Sequence, residues 1–217
     1  MDRDFQSKRF GRRSWLKSAT AFSRVELLVT IVCVLALAIA GYWWGRKFSA
    51  SSKSKSCQNN VRALLRGFDG FLTASNHLPD GARRGEPHVI DWLHWQSDRY
   101  FEDSAVAPYV PNFGSKILQC PSDAQVRYRE YPFSYSMNVY LERLHPSKLV
   151  NASDLILLFE EASPNDGACA ISESTDKLTT RHSKQSTGGF LDGRVESILE
   201  TNAVAREHFR PRLKRKE

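Results

Sequence analysis

The sequence has four cysteines but no Cys-x-x-Cys pair, so neither a zinc ribbon nor a thioredoxin-type redox motif is supported. It has no Gly-x-Ser-x-Gly, and hence no nucleophile elbow to present a catalytic serine. His77, His88, His94, His145 and His208 lack metal-ligand spacing. No internal repeat is visible. Proline is absent from residues 22–78, and charge is absent from the 18 residues Leu27–Trp44. The first absence lets one helix run through the whole stretch. The second makes part of it long and apolar enough to span a bilayer. With no catalytic constellation, the expectation is a protein that is not an enzyme and has no small-molecule substrate.

Positive charge is plentiful, but it sits at the ends. Of the formal net charge of +7, residues 1–21 hold six basic against two acidic side chains, and residues 206–217 again hold six against two. The middle is near neutral. A nucleic-acid-binding domain carries its basic stripe on the folded body, so no nucleic-acid partner is expected.

The apolar run Val25–Trp44 contains one charge, Glu26. Tyr42, Trp43 and Trp44 stand where an interfacial aromatic belt forms, and the basic leader precedes the span. The positive-inside rule then puts residues 1–21 in the cytoplasm and the C-terminal part outside it. A secretory signal has a shorter apolar region followed by a small-residue cleavage site. Here the small residues Ser18, Ala19, Thr20 and Ala21 come before the run. A carboxylate at the membrane edge is costly without a partner. A chain cut in front of Phe22 would supply one, its new α-amino group. Two other readings remain open. One is a plain signal-anchor helix whose Glu26 snorkels. The other is a twin-arginine signal, Arg12-Arg13-Ser14-Trp15-Leu16-Lys17, although Arg24 and Glu26 separate it from the apolar run.

Ala21-Phe22-Ser23-Arg24-Val25-Glu26-Leu27-Leu28-Val29 resembles the class III signal of type IV pilins and pseudopilins. Ala21 stands where that family has Gly, and Arg24 where it has an apolar residue. Four further segments resemble the DUF1559 type of pseudopilin-like protein. They are Cys57-Gln58-Asn59-Asn60-Val61-Arg62, Leu118-Gln119-Cys120-Pro121-Ser122-Asp123, Ser134-Tyr135-Ser136-Met137-Asn138, and His182 followed nine residues later by Asp192-Gly193.

The resemblance implies cleavage between Ala21 and Phe22 by a prepilin peptidase, N-methylation of Phe22, and assembly through Glu26. It implies an α+β fold, a long N-terminal transmembrane and amphipathic helix packed on a small antiparallel β-rich head. The parts would be a cytoplasmic leader 1–21, a helix 22–75 with its transmembrane half at 25–44, an exported head 76–205, and a basic flexible tail 206–217. The setting would be the inner membrane, single-pass, with the head in the periplasm. The partners would be the peptidase and other pseudopilin subunits of a type II secretion-like or type IV pilus-like apparatus. The alternative is a monomeric membrane-anchored periplasmic binding module.

Within the segments of this resemblance, Cys57 is expected to pair with Cys120, leaving Cys169 as a free thiol. His182 and Asp192 admit three readings. They can pin a loop and a turn, share a metal, or do hydrolytic chemistry. The first is adopted, with no metal assigned. Calcium would be the ion if there is one, although it prefers oxygen ligands to His182. Glu160 and Glu161, closing the apolar run Leu155–Phe159, read as solvated acids. Phe190–Leu199 reads as a hairpin with Asp192-Gly193 in its turn.

Overall fold

The computed structural model describes residues 23–85, 87–125, 131–171, 176–199 and 207–215. The leader 1–21 and the two cleavage-site residues Ala21 and Phe22 lie outside them. The chain divides into two units at the Gly45–Arg46 boundary.

Helix α1 runs Arg24–Ser75, uninterrupted by proline. Its residues in the first unit are exposed along their length. Among the described residues it is the one helix long and apolar enough to cross a membrane. Its residues in the second unit bury Cys57, Val61, Leu64, Leu65, Phe68 and Phe71, the i, i+3, i+4 recurrence that puts apolar side chains on one face. The helix ends where Asn76 turns left-handed, at φ 61°, an ordinary way to close a helix without glycine.

Among the described residues, the rest of the second unit holds a short helix α2 (Ser115–Leu118), several single 3₁₀ turns and five strands. The strands are β1 Tyr135–Asn138, β2 Ile156–Glu160, β3 Ala168–Cys169, β4 Gln185–Phe190 and β5 Val195–Leu199. They form one sheet in the order β3-β1-β2-β4-β5. β1–β2, β2–β4 and β4–β5 are antiparallel, but β3 runs parallel to β1. The sheet is therefore mixed, not antiparallel as expected. A two-residue strand carries no periodicity from which its direction could be read.

β4 begins with Gln-Ser-Thr-Gly-Gly, a poor strand sequence by propensity. Its glycines serve packing. A Cβ on Gly189 would come within 2.7 Å of Val61 Cγ1 and 2.9 Å of Leu65 Cδ1, so α1 reaches the sheet because that side chain is missing. The β4–β5 loop is longer than a two-residue turn. Gly193 N–H donates to the Phe190 carbonyl and Phe190 N–H to that of Arg194, with Gly193 left-handed at φ 87°. This is the three-residue loop in which a turn is followed by a left-handed glycine.

Trp92 and Leu93 are fully buried. Trp92 stacks near Phe68 of α1 and donates its indole N–H to the Gly167 carbonyl at 2.7 Å. This segment acts as an apolar anchor.

The expected flexible tail is also corrected. Within it, Phe209 is buried against Phe159 and its carbonyl accepts from Asn138. Val150 N–H donates to Arg212, and Lys214 N–H to Lys148. The basic composition hid a single aromatic with a slot to fill.

At the edge of this unit Arg143 grips Asp80 through Nε and Nη2, at 2.8 and 2.6 Å. That hydrogen bonding holds the Asp80 carboxyl below its ordinary 3.8. A depressed acid contributes stability above its unfolded pKa and loses it as pH falls through the folded value. Arg143 is well exposed, so water can take its place and Arg143→Ala should cost little even at neutral pH. The difference from wild type should vanish in acid below that range. Denaturant midpoints of both proteins at the two pH values check this.

Candidate functional site

Among the described residues, two places gather polar groups that bear on function. The first is the start of α1. Ser23 N–H donates to Glu26 Oε2 at 2.8 Å, and Glu26 N–H donates to Ser23 Oγ at 3.2 Å. This is a reciprocal capping box, satisfying two of the amide donors that a helix N-terminus leaves open. The sequence carries the Ser-x-x-Glu signature of this box at Ser23 and Glu26, a signal beside the charge of Glu26. Thr30 also turns its hydroxyl back onto the helix, to the carbonyl of Glu26.

The second place is buried in the second unit, and it gathers four of the motif segments. Cys57 of α1 is disulfide-bonded to Cys120, with their Cα atoms 5.1 Å apart. Both are buried. Cys120 sits on a loop held from two sides. Its N–H donates to Ser134 Oγ at 3.1 Å, and Ser134 in turn donates to Asp123 Oδ2 at 2.8 Å. Asp123 N–H closes the turn onto the Cys120 carbonyl. The Cys-Pro-Ser-Asp and Ser-Tyr-Ser-Met-Asn segments thus lock each other. On the far side of Cys120 its sulfur meets His182 Nε2 at 3.4 Å.

His182 brings in residues that sequence reasoning did not place. Its Nε2 is 2.9 Å from Glu160 Oε2. That oxygen receives no aligned hydrogen bond, so the contact is an ion-pair distance without hydrogen-bond geometry. Arg181 reaches Glu160 Oε1 at 3.3 Å and Asp123 Oδ2 at 3.1 Å, and donates to the Ala162 carbonyl. Glu160 is fully buried. The expectation that Glu160 and Glu161 are solvated is therefore overturned for both. Glu161 is also fully buried, with the Ser136 hydroxyl donating to its Oε2 at 2.5 Å. The cost of burying acids is offset only by such partners, and those partners lie far away in the chain.

Asp192 is not part of this cluster. It is exposed at the β4–β5 loop, where its Oδ1 accepts from the Arg194 N–H at 3.0 Å, while His182 precedes the other end of β4. The two do not meet, which removes the reading of a shared His–Asp pair. Asp192 and Gly193 shape the turn, and His182 belongs to the disulfide.

Cys33 and Cys169 are the free cysteines. Cys169 is buried beside Glu161 and Asp176, and burial first, then the Glu161 carboxylate, pushes its thiol up. A thiol held protonated is a poor nucleophile. Cys169 should therefore resist alkylation in the native chain and react after denaturation without reductant, as peptide mapping by mass spectrometry would record. Labelling of Cys169 in the native chain would contradict its burial.

Comparisons with family models, curated proteins and solved structures return no match.

Proposed function

We propose that this chain is a structural pseudopilin-like subunit, cut by a prepilin peptidase between Ala21 and Phe22 and assembled through its N-terminal helix. The observation that carries this reading is Glu26. A carboxylate stands in the first turn of a helix long and apolar enough to span a membrane. In a bundle of such helices, the Phe22 amino group of one subunit would meet Glu26 of its neighbour, and neither charge is cheap alone at the membrane edge. On this reading the head faces the periplasm and the working surface is the helix. The pilin-like class of the head belongs to the same proposal. The α+β composition agrees with it, as does the order of the motif segments.

One observation favours the second reading, a solitary membrane-anchored binding module. The capping box with Ser23 gives Glu26 a purpose that needs no neighbour. The two readings separate at Glu26→Gln, because glutamine still closes the box but carries no charge. The experiment is crosslinking between subunits in membranes at equal expression, with wild type, Glu26→Gln and Glu26→Ala. The expected result is that both variants insert but neither self-associates, since either change would strand a neighbour's amino group at the membrane edge. A Glu26→Gln chain that crosslinks like wild type would favour the anchored module. The mature N-terminus, read by sequencing, should be Phe22. A chain still beginning at Met1 in cells with an active prepilin peptidase would remove the processing step.

A further inference from the structure

A disulfide needs neither an imidazole nor a carboxylate against it, yet Cys57 and Cys120 have both. One ligand atom each from Cys57, Cys120, Glu160 and His182 lies within 4.8 Å of the others, and all four residues are buried. They come from α1, the loop after α2, the end of β2 and the turn before β4. The locking of the Cys120 loop and the grip of Arg181 on Glu160 position two of them independently of the S–S bond. Glu160 divides its two oxygens. Oε1 is held by Arg181, while Oε2 points at His182 Nε2 with no hydrogen bond aligned to it. A fully buried carboxylate oxygen with no hydrogen bond aligned to it is costly, and a metal ion would satisfy it.

We infer that the reduced protein binds one zinc ion through Cys57 Sγ, Cys120 Sγ, His182 Nε2 and Glu160 Oε2, and that the disulfide and the metal are mutually exclusive occupants of one site. Two sulfurs, one imidazole nitrogen and one carboxylate oxygen form a closed four-ligand set of the kinds that zinc takes. Bond lengths of roughly 2.0–2.3 Å place tetrahedral ligand atoms roughly 3.3–3.8 Å apart, so the two sulfurs and the His182–Glu160 pair at 2.9 Å must part while the wider separations, up to 4.8 Å, close.

The charge is reasonable. Two thiolates and a carboxylate exceed a divalent cation by one, and Arg181 stands beside Glu160 to offset it. His182 lines an open cleft with Lys55, Gln58, Ser122, Arg181 and Ser183, so an ion need not cross the core to enter.

The chemistry balances in two steps. A dithiol reductant passes two electrons and two protons to the Cys57–Cys120 bond, giving two thiols and its own disulfide. Zinc then displaces the two thiol protons to solvent as the two Zn–S bonds form. Either occupant ties the Cys120 loop to α1, so the metal would do in a reducing setting what the S–S bond does in an oxidising one. The inference is independent of the pseudopilin reading.

Cobalt(II) titration of the full chain in detergent tests it, with oxidised protein and with protein reduced by a phosphine and freed of excess reductant. The reduced chain should take up one Co2+ with intense thiolate-to-metal charge-transfer absorption and tetrahedral ligand-field bands. Zinc should bleach both, and the oxidised chain should show neither. A chain with Cys33→Ser and Cys169→Ser should give the same spectrum. His182→Ala should weaken binding by on the order of 100-fold, since even groups that only support a ligand are worth about 10–100-fold. Reduced wild type without charge-transfer bands would overturn the site. So would bands lost in the Cys33/Cys169 variant, or a His182→Ala chain that binds like wild type.

Discussion

Replacing Cys57 and Cys120 by alanine should lower the unfolding free energy of the Arg46–Glu217 unit by about 4 kcal/mol, roughly a thousandfold in the folded-to-unfolded ratio. The two residues are 63 apart in the chain, and closing a loop of that length removes much of the freedom of the unfolded state. Both side chains are buried, so the substitution also leaves a small void, which adds to the loss. The effect should appear in chemical denaturation of the full chain in detergent, with a chelator present to keep metals from the reduced site. Reducing the wild type under the same conditions should reproduce most of it. A loss below about 1 kcal/mol would mean that the bond contributes little constraint, and the cluster around His182 would then have to hold the Cys120 loop by itself.

Arg181→Ala should be of similar size, about 3–5 kcal/mol, for a different reason. Arg181 is the cation between two buried carboxylates, Asp123 and Glu160, whose side chains are 1% and 0% exposed. Its removal takes that cation from both in the interior. It also frees the Ala162 carbonyl, and it loosens Asp123, the residue that anchors Ser134 and through it the Cys120 loop. The contrast with Arg143→Ala tests the argument. Both arginines hold carboxylates at about 3 Å, but Arg143 is 59% exposed and Arg181 14%, so water can replace the first and not the second. Equal losses for the two variants, measured by denaturant midpoint, would show that burial does not set the energy of these pairs.

The two substitutions probe one structure from its covalent and its electrostatic side, and its parts come from all over the second unit. Cys57 belongs to a helix, Cys120 and Asp123 to a loop, Ser134 to the residue before β1, Glu160 to the end of β2, and Arg181 and His182 to the turn before β4. Four of the five motif segments converge here, and that convergence gives their order in the chain a physical meaning. The fifth sits at the helix start, where Ser23 and Glu26 close a local cap. Asp192 stands apart from both places, although it follows His182 closely in sequence. A strand of six residues separates them, and a strand extends by about 3.3 Å per residue.

What the sequence determined by itself was whatever depends on neighbours along the chain. The long helix followed from the missing prolines, the uncharged run and the apolar stripe at Cys57, Val61, Leu64, Leu65 and Phe68. The β4–β5 turn followed from Asp192-Gly193. Each is a preference that a few adjacent residues express together.

The tertiary structure alone decided what depends on partners distant in the chain. It made β4 an interior strand in spite of Ser186, Thr187, Gly188 and Gly189, because α1 packs where a Cβ on Gly189 would sit and Ile198 of β5 where one on Gly188 would sit. It docked Phe209, which a basic segment concealed. It buried Glu160 and Glu161, which end an apolar strand as surface acids commonly do, because Arg181, His182 and Ser136 arrive there from elsewhere. Whether an acid lies in water or in a core is settled by the energy of its partners, and a partner brought in by folding leaves no mark on the residues beside it.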